Sequence, residues 1–344
     1  MRRLLLIIGL AVSLFASPAY AQFGLLGAAR SITITMTPAH PGPHTAVHLT
    51  AQSSVFDLER SSLIWSTDGS VLAQGVGVTE IDVTAQDLGS KTTVSVEVTA
   101  PDVVPATATV HIIPTQVDLL FDTDAYTPPF YRGHDLPSAG TTLILQALPH
   151  FVLPGGSELR SGDLTYTWRR NGQVMGSVSG RGKSAIVVPS PVLYAHDVLS
   201  VEVESSDGSM SGEASMTIAA EDPTLVLYED NPIFGVLYGF AFGPTAFVAK
   251  AETTLTAIPY FASARTLKDP LLDYVWRVNG VRVTTDPSVP NELTLQASDS
   301  SAVARIQLAV THATNFFLNA SRTWNITFST KGSAQDLFRA TLQP

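Results

Sequence analysis

Cysteine is absent from all 344 residues. That excludes a disulfide framework, a thiolate metal site, a cysteine nucleophile and lipid attachment at a lipobox. Charge is sparse at 15%, and Lys plus Arg (20) fall short of Asp plus Glu (30), for a net charge of −10. No basic cluster runs longer than Arg169-Arg170, so the basic face that displaces nucleic-acid counterions is missing and no nucleic-acid partner is expected. Local catalytic signatures are lacking too: there is no G-x-S-x-G, no H-E-x-x-H, and no carboxylate pair held at a repeated spacing. No catalytic residue is assigned, and a non-enzyme is expected.

What is present begins with an export signature. Arg2 and Arg3 precede an apolar run from Leu4 to Phe15, followed by Ala19-Tyr20-Ala21, the order of a cleavable signal peptide. Twelve apolar residues are short for a bilayer span. The expectation is cleavage after Ala21, a mature start at Gln22, ordinary Sec export, and no membrane span afterwards. The expected location is the cell envelope, the surface or the medium, and an exported chain without disulfides points to bacteria.

The mature chain is organised by a repeat. YTWRRNG (Tyr166 to Gly172) returns as YVWRVNG (Tyr274 to Gly280) and, more weakly, as LIWSTDG (Leu63 to Gly69). In each copy alternate residues share one face of a strand, and Asn-Gly or Asp-Gly supplies the positive φ angles of a two-residue hairpin turn. A tryptophan at the same strand position buries roughly 150–250 Å², so Trp65, Trp168 and Trp276 are expected as core pins, with Trp324 of the TWNITF strand beside them. SVEV at Ser95 and Ser200, and LQALPHF beside LTAIPYF, are further landmarks of the same repeat.

Short alternating segments with turns every eight to twelve residues predict about seven strands per repeat, the pattern of a sandwich. The expected fold is all-β, three tandem β-sandwich domains at residues 31–114, 115–221 and 222–330. Residues 22–30 read as a flexible lead-in, and 331–344 as a tail that is a short amphipathic helix or disordered. Linkers this short predict a stiff rod, on the order of 100 Å long.

Two motifs lose their apparent chemistry on inspection. SGRGKS (Ser179 to Ser184) ends like a phosphate loop, but Ser177 stands where the first glycine belongs. His40, His44 and His48 are four apart, but Pro41-Gly42-Pro43 forbids the helix that would align them as metal ligands. An exposed edge is the expectation for that segment.

The candidate site lies at two junction strings, FDTDAYTPPFYRG (Phe121 to Gly133) and YEDNPIFGVLYG (Tyr228 to Gly239). Each joins two acidic residues to proline and several aromatics. Three readings stand side by side. The aromatics Tyr126, Phe130, Tyr131, Tyr228, Phe234 and Tyr238 pack against a neighbouring domain, or part of them forms an exposed docking patch. Alternatively Asp122, Asp124, Glu229 and Asp230 hold calcium, the single cofactor weighed.

These strings, the two WRxNG copies, the cysteine-free pattern and the leader resemble tandem bacterial Ig-like or PKD-like domain proteins. They are similar in particular to uncharacterised exported proteins of Patescibacteria. The resemblance covers nearly the whole mature chain and implies an immunoglobulin-like (PKD-like) architecture, with no activity to carry over. The first copy departs from it, having STDG for RxNG and no aromatic junction string. The expected role is a non-enzymatic rod that presents an adhesive or protein-binding surface to an envelope, pilus or host-surface protein. The alternative is a secreted carbohydrate- or peptidoglycan-binding module, with a glycan as partner.

Overall fold

A computed structural model describes residues 32–329 except 102–103, 130, 251 and 297–300. The segments expected to be a signal peptide, a lead-in and a tail, and Phe130, lie outside the described residues. The described chain is strands and turns, interrupted by two single 3-10 turns at Leu58–Arg60 and Ser161–Asp163. Its sheets pair along the chain as three successive immunoglobulin-like sandwiches. They fall into two compact units: residues 47–83 and 92–112 with the first strand in one, and residues 38–46, 84–91 and 113 onward in the other.

The first sandwich uses β1 (Ile32–Thr37), β2 (Ala46–Ser53), β3 (Ser62–Thr67), β4 (Ser70–Val76), β5 (Glu80–Thr84), β6 (Thr92–Thr99) and β7 (Ala106–Ile112). One sheet runs β1-β2-β5 and the other β4-β3-β6-β7. In β2 and β6 every second side chain is buried, the alternation expected of strands with one wet face.

In the second sandwich the strands are β8 (Gln116–Thr123), β9 (Thr142–His150), β10 (Thr165–Arg170), β11 (Gln173–Val174), β12 (Gly180–Arg181), β13 (Ala185–Pro189), β14 (His196–Glu204) and β15 (Ser211–Ala219). Their orders are β13-β9-β8 and β11-β10-β14-β15, with β12 also on β10. SGRGKS thus belongs to the short β12 and the turn after it.

The third sandwich has β16 (Thr224–Asn231), β17 (Gly235–Ala241), β18 (Thr245–Val248), β19 (Glu252–Tyr260), β20 (Leu272–Val278), β21 (Val281–Val283), β22 (Glu292–Gln296), β23 (Ser301–His312) and β24 (Asn319–Ser329). Here the orders are β17-β16-β19-β22 and β18-β24-β23-β20-β21. Between its first and second core strands, β16 and β19, the chain adds an end strand to each sheet: β17 antiparallel to β16, and β18 parallel to β24.

The repeated tryptophans sit on β3, β10 and β20, each fully buried. Each indole Nε1–H donates to a carbonyl ahead of the next sheet: Trp65 to Val78 at 2.8 Å, Trp168 to Lys183 at 2.8 Å, and Trp276 to Pro290 at 2.9 Å. Buried indoles need such partners, and the same one recurs three times. Trp324 is equally buried but its Nε1 has no partner among the described residues; the Arg322 guanidinium lies 5.6 Å from its ring centre. The hairpin turns after the tryptophan strands have positive φ at both central residues, as at Asn171 (52°) and Gly172 (79°), and Asn279 (51°) and Gly280 (84°). Asn171 and Asn279 also accept through Oδ1 from the backbone N–H of Val198 and Arg305, which ties each turn to the neighbouring strand.

Candidate functional site

The connection between the first two core strands of the second sandwich, residues 124–141, carries the first junction string. Its backbone docks on the segment just past β19: Tyr126 N–H donates to the Ala262 carbonyl at 2.8 Å and Phe261 N–H to the Tyr126 carbonyl at 2.7 Å. The Tyr131 ring stands edge-on to Tyr260 and Phe261 at centroid distances of 5.8 and 5.9 Å. Asn315, in the turn between β23 and β24, donates from Nδ2 to the Ala139 carbonyl at 2.9 Å. Gly140 has φ +87°, and a β-carbon there would lie 2.4 Å from Asn315 Nδ2, so only glycine permits this approach.

Around this contact the tyrosines converge. The Tyr228 and Tyr260 hydroxyls are 2.7 Å apart, and Tyr228 packs edge-on against Tyr238 at 5.4 Å. Burial, reinforced by Tyr238, pushes the Tyr126 hydroxyl up to about 12. Burial and the Tyr228 hydrogen bond raise Tyr260, and burial with Tyr126 nearby raises Tyr274. Of the aromatics singled out in the two strings, Tyr126, Tyr131, Tyr228 and Tyr238 therefore belong to one cluster, in which Tyr131 remains 38% exposed. Tyr260, Phe261 and Tyr274 complete it, and the sequence offered Tyr260 and Phe261 only as a repeat landmark, LTAIPYF.

Phe234 is placed differently. Asn231 Oδ1 accepts from the backbone N–H groups of Ile233 at 2.9 Å and Phe234 at 3.2 Å, and Gly235 closes the turn at φ +69°. The turn holds Ile233 and Phe234 outward, 81% and 76% exposed. β17 then arches away: Asp230 pairs with Val236 and Tyr228 with Ala241, leaving residues 237–240 opposite Glu229 alone. Phe240 stands on this arch, 81% exposed. From residue 232 to residue 249 there is no charged side chain. Because the arch and Pro232 blunt the strand edge, this hairpin offers side chains to a partner and not a ladder of backbone groups.

The four acidic candidates do not converge. Asp122 Oδ1, on β8, accepts from its neighbour Thr123 N–H, and Asp124 Oδ1 accepts from Thr142 N–H at the start of β9 at 2.7 Å, so each already has a backbone partner. Glu229 is ion-paired with Lys250. Asp230 lines an open groove with Glu252, Glu292 and Thr254; burial and then Asp230 raise the Glu292 carboxyl. Among the described residues no group of three or more His, Asp or Glu side chains is arranged to hold a metal.

The histidine-proline segment is not simply an exposed edge. Pro41 is buried, its carbonyl accepts from Thr115 N–H at 3.0 Å, and His40 Nδ1 is 2.8 Å from Ser211 Oγ. The three histidines part company: His44 lies in a turn at φ 58°, and His48 sits on β2 beside Asp82, whose hydrogen bond raises the imidazole pKa.

No protein-family model matches the chain, and no curated protein matches it. Solved structures with which it shares a likeness include three N-terminal domains of the bacteriophage RB49 highly immunogenic outer capsid protein, at 13% identity over 88% of this chain and 99% of that one, TM-score 0.24. Another is the central fibronectin-III array of RIM-binding protein, at 11% identity over 86% and 95%, TM-score 0.28. A third is SGBP-B of the Bacteroides ovatus mixed-linkage glucan utilization locus, in complex with a heptasaccharide, at 11% identity over 87% and 70%, TM-score 0.23. Likeness at this level carries no argument about what the chain does.

Proposed function

We propose that this is an exported, non-enzymatic binding protein of the cell envelope or surface, and that it captures a protein partner through the hairpin of its third sandwich. The observation that carries the reading is the tip with Ile233 and Phe234 outward, and Phe240 exposed further along the same hairpin, inside an 18-residue stretch, 232–249, without one charged side chain. Contiguous exposed apolar surface of this kind is scarce on monomers and marks interaction sites, and aromatics at the centre of an interface carry most of its energy. The reading requires neither catalysis nor a cofactor, and the leader at residues 1–21 supports export.

The test is a crosslinking pull-down from intact cells with the tagged full chain, alongside Ile233→Ser/Phe234→Ser and, as a control, Val174→Ser. Val174 is 57% exposed on β11 of the second sandwich. Envelope or pilus proteins recovered by the parent and the control, and lost with the double variant, are the expected outcome. Equal recovery by all three would remove the hairpin from the binding surface. Retention on glycan or peptidoglycan resin that the double variant leaves intact would transfer the role to sugar binding elsewhere.

A further inference from the structure

In the second and third sandwiches the leading end, where the first strand starts, is covered at two equivalent places. One is the residue two past the second core strand. Val152, two past β9, lies so close to Gly89 that a β-carbon there would be 2.9 Å from Val152 Cγ1. Ala262, two past β19, is fully buried and accepts from Tyr126 N–H. The other place is where the last two strands are joined: His40 meets Ser211, the first residue of β15, and Ala139 meets Asn315 in the β23–β24 turn. The covering group is the connection between the first two core strands, residues 38–46 or 124–141, except over Val152, where it is the β5–β6 connection at Gly89. A proline carbonyl in it takes the N–H just ahead of the next first strand: Pro41 from Thr115, and Pro137 from Glu221.

The first sandwich has the same two places. Val55, two past β2, is 51% exposed, and Val104, in the turn between β6 and β7, is 66% exposed. The third sandwich has the corresponding connection, between β16 and β19, and it ends in the exposed tip of Ile233 and Phe234. One leading end and one connection are thus apolar and uncovered among the described residues, and each is of the kind that the other type of surface covers elsewhere in the chain.

We propose that the protein associates head to tail, the Ile233-Phe234 tip of one copy seating on Val55 and Val104 of a second copy. This deepens the reading of the hairpin as a binding surface and rests on it. A second copy fits because the tip lies in a charge-free stretch, so chains of net charge −10 meet without setting acid against acid. Two different surfaces in contact form a heterologous interface, which extends into an open chain unless its rotation closes a ring.

Sedimentation velocity of the full chain over a concentration series tests this, with Phe234→Asp, Val55→Asp and their equimolar mixture. The parent is expected to grow beyond a dimer as concentration rises. Each variant alone stays monomeric, its association at least ~10-fold weaker. The mixture stops at a one-to-one dimer, because each variant keeps one intact end. Circular dichroism melts establish that the variants fold; Phe234→Ser and Val55→Ser replace any that do not. A parent that is monomeric throughout, a Val55→Asp variant that assembles like the parent, or a mixture that remains monomeric would each overturn the proposal. A monomeric parent whose Ile233→Ser/Phe234→Ser variant still loses envelope capture sinks the head-to-tail inference alone. Assembly as expected, with envelope capture unaffected by that variant, sinks the foreign-partner reading alone.

Discussion

The connections at residues 124–141 and 232–249 occupy the same place in their sandwiches, between the first two core strands, and both are rich in aromatics and proline. They end in opposite states. The first is tied down by a reciprocal pair of backbone hydrogen bonds, Tyr126 to Ala262 and Phe261 to Tyr126, and by an edge-on ring cluster. The second is folded back on its own strand by an Asn231 turn and leaves Ile233, Phe234 and Phe240 in solvent. Aromatic content therefore does not tell a packed junction from a docking surface. What decides is whether backbone groups of a neighbouring segment are placed to receive it.

Four changes test how deep the difference runs. The largest effect is expected from Tyr260→Ala, which removes the ring faced by Tyr131 and Phe261 and the hydroxyl partner of Tyr228. A loss of about 2–4 kcal/mol should appear in denaturant unfolding. Next comes Gly140→Ala, which forces a side chain into left-handed backbone and onto Asn315. About 1–3 kcal/mol is expected, together with faster hydrogen exchange at Tyr126 and Phe261; an unchanged exchange rate would mean that the junction does not depend on that close approach.

The third is a pH effect. Tyr126 is held near 12 in the folded chain against an ordinary value of 10, and Tyr238, Tyr260 and Tyr274 are raised as well, by burial first. The unfolded chain releases these protons at lower pH than the folded one, so stability is whole below pH 10 and falls as pH climbs towards 12. Unfolding followed by tyrosinate absorbance should show this fall, and Tyr126→Phe should make it shallower. The smallest stability change belongs to Phe234→Ser on the exposed connection, within about 0.5 kcal/mol of the parent, although binding is lost. A large destabilisation there would show that the tip is part of the fold, and the contrast between the two connections would collapse.

Much of the architecture was legible beforehand. The positions of Trp65, Trp168 and Trp276 followed from alternation ending in a turn dipeptide, because strand period and positive φ are local properties. The junction strings were legible as a site but not as two sites. Tyr131 and Phe234 occupy similar settings in the sequence, and their fates depend on Tyr260, Phe261 and Asn315, which are remote along the chain. The partners of the acidic residues were hidden for the same reason: Asp124 accepts from the N–H of Thr142, 18 residues on, and Glu229 is taken by Lys250.

Local chemistry alone thus set the strands, the tight turns, the strand position of each repeated tryptophan, the lack of thiol chemistry and the acidic balance. Each of these is fixed by a residue and its near neighbours. The tertiary structure decided which aromatics are covered, which carboxylates are already engaged, and that Gly140 must lack a side chain because Asn315 arrives there. Burial and hydrogen-bond partnership join residues distant along the chain, and only the folded packing brings those residues together.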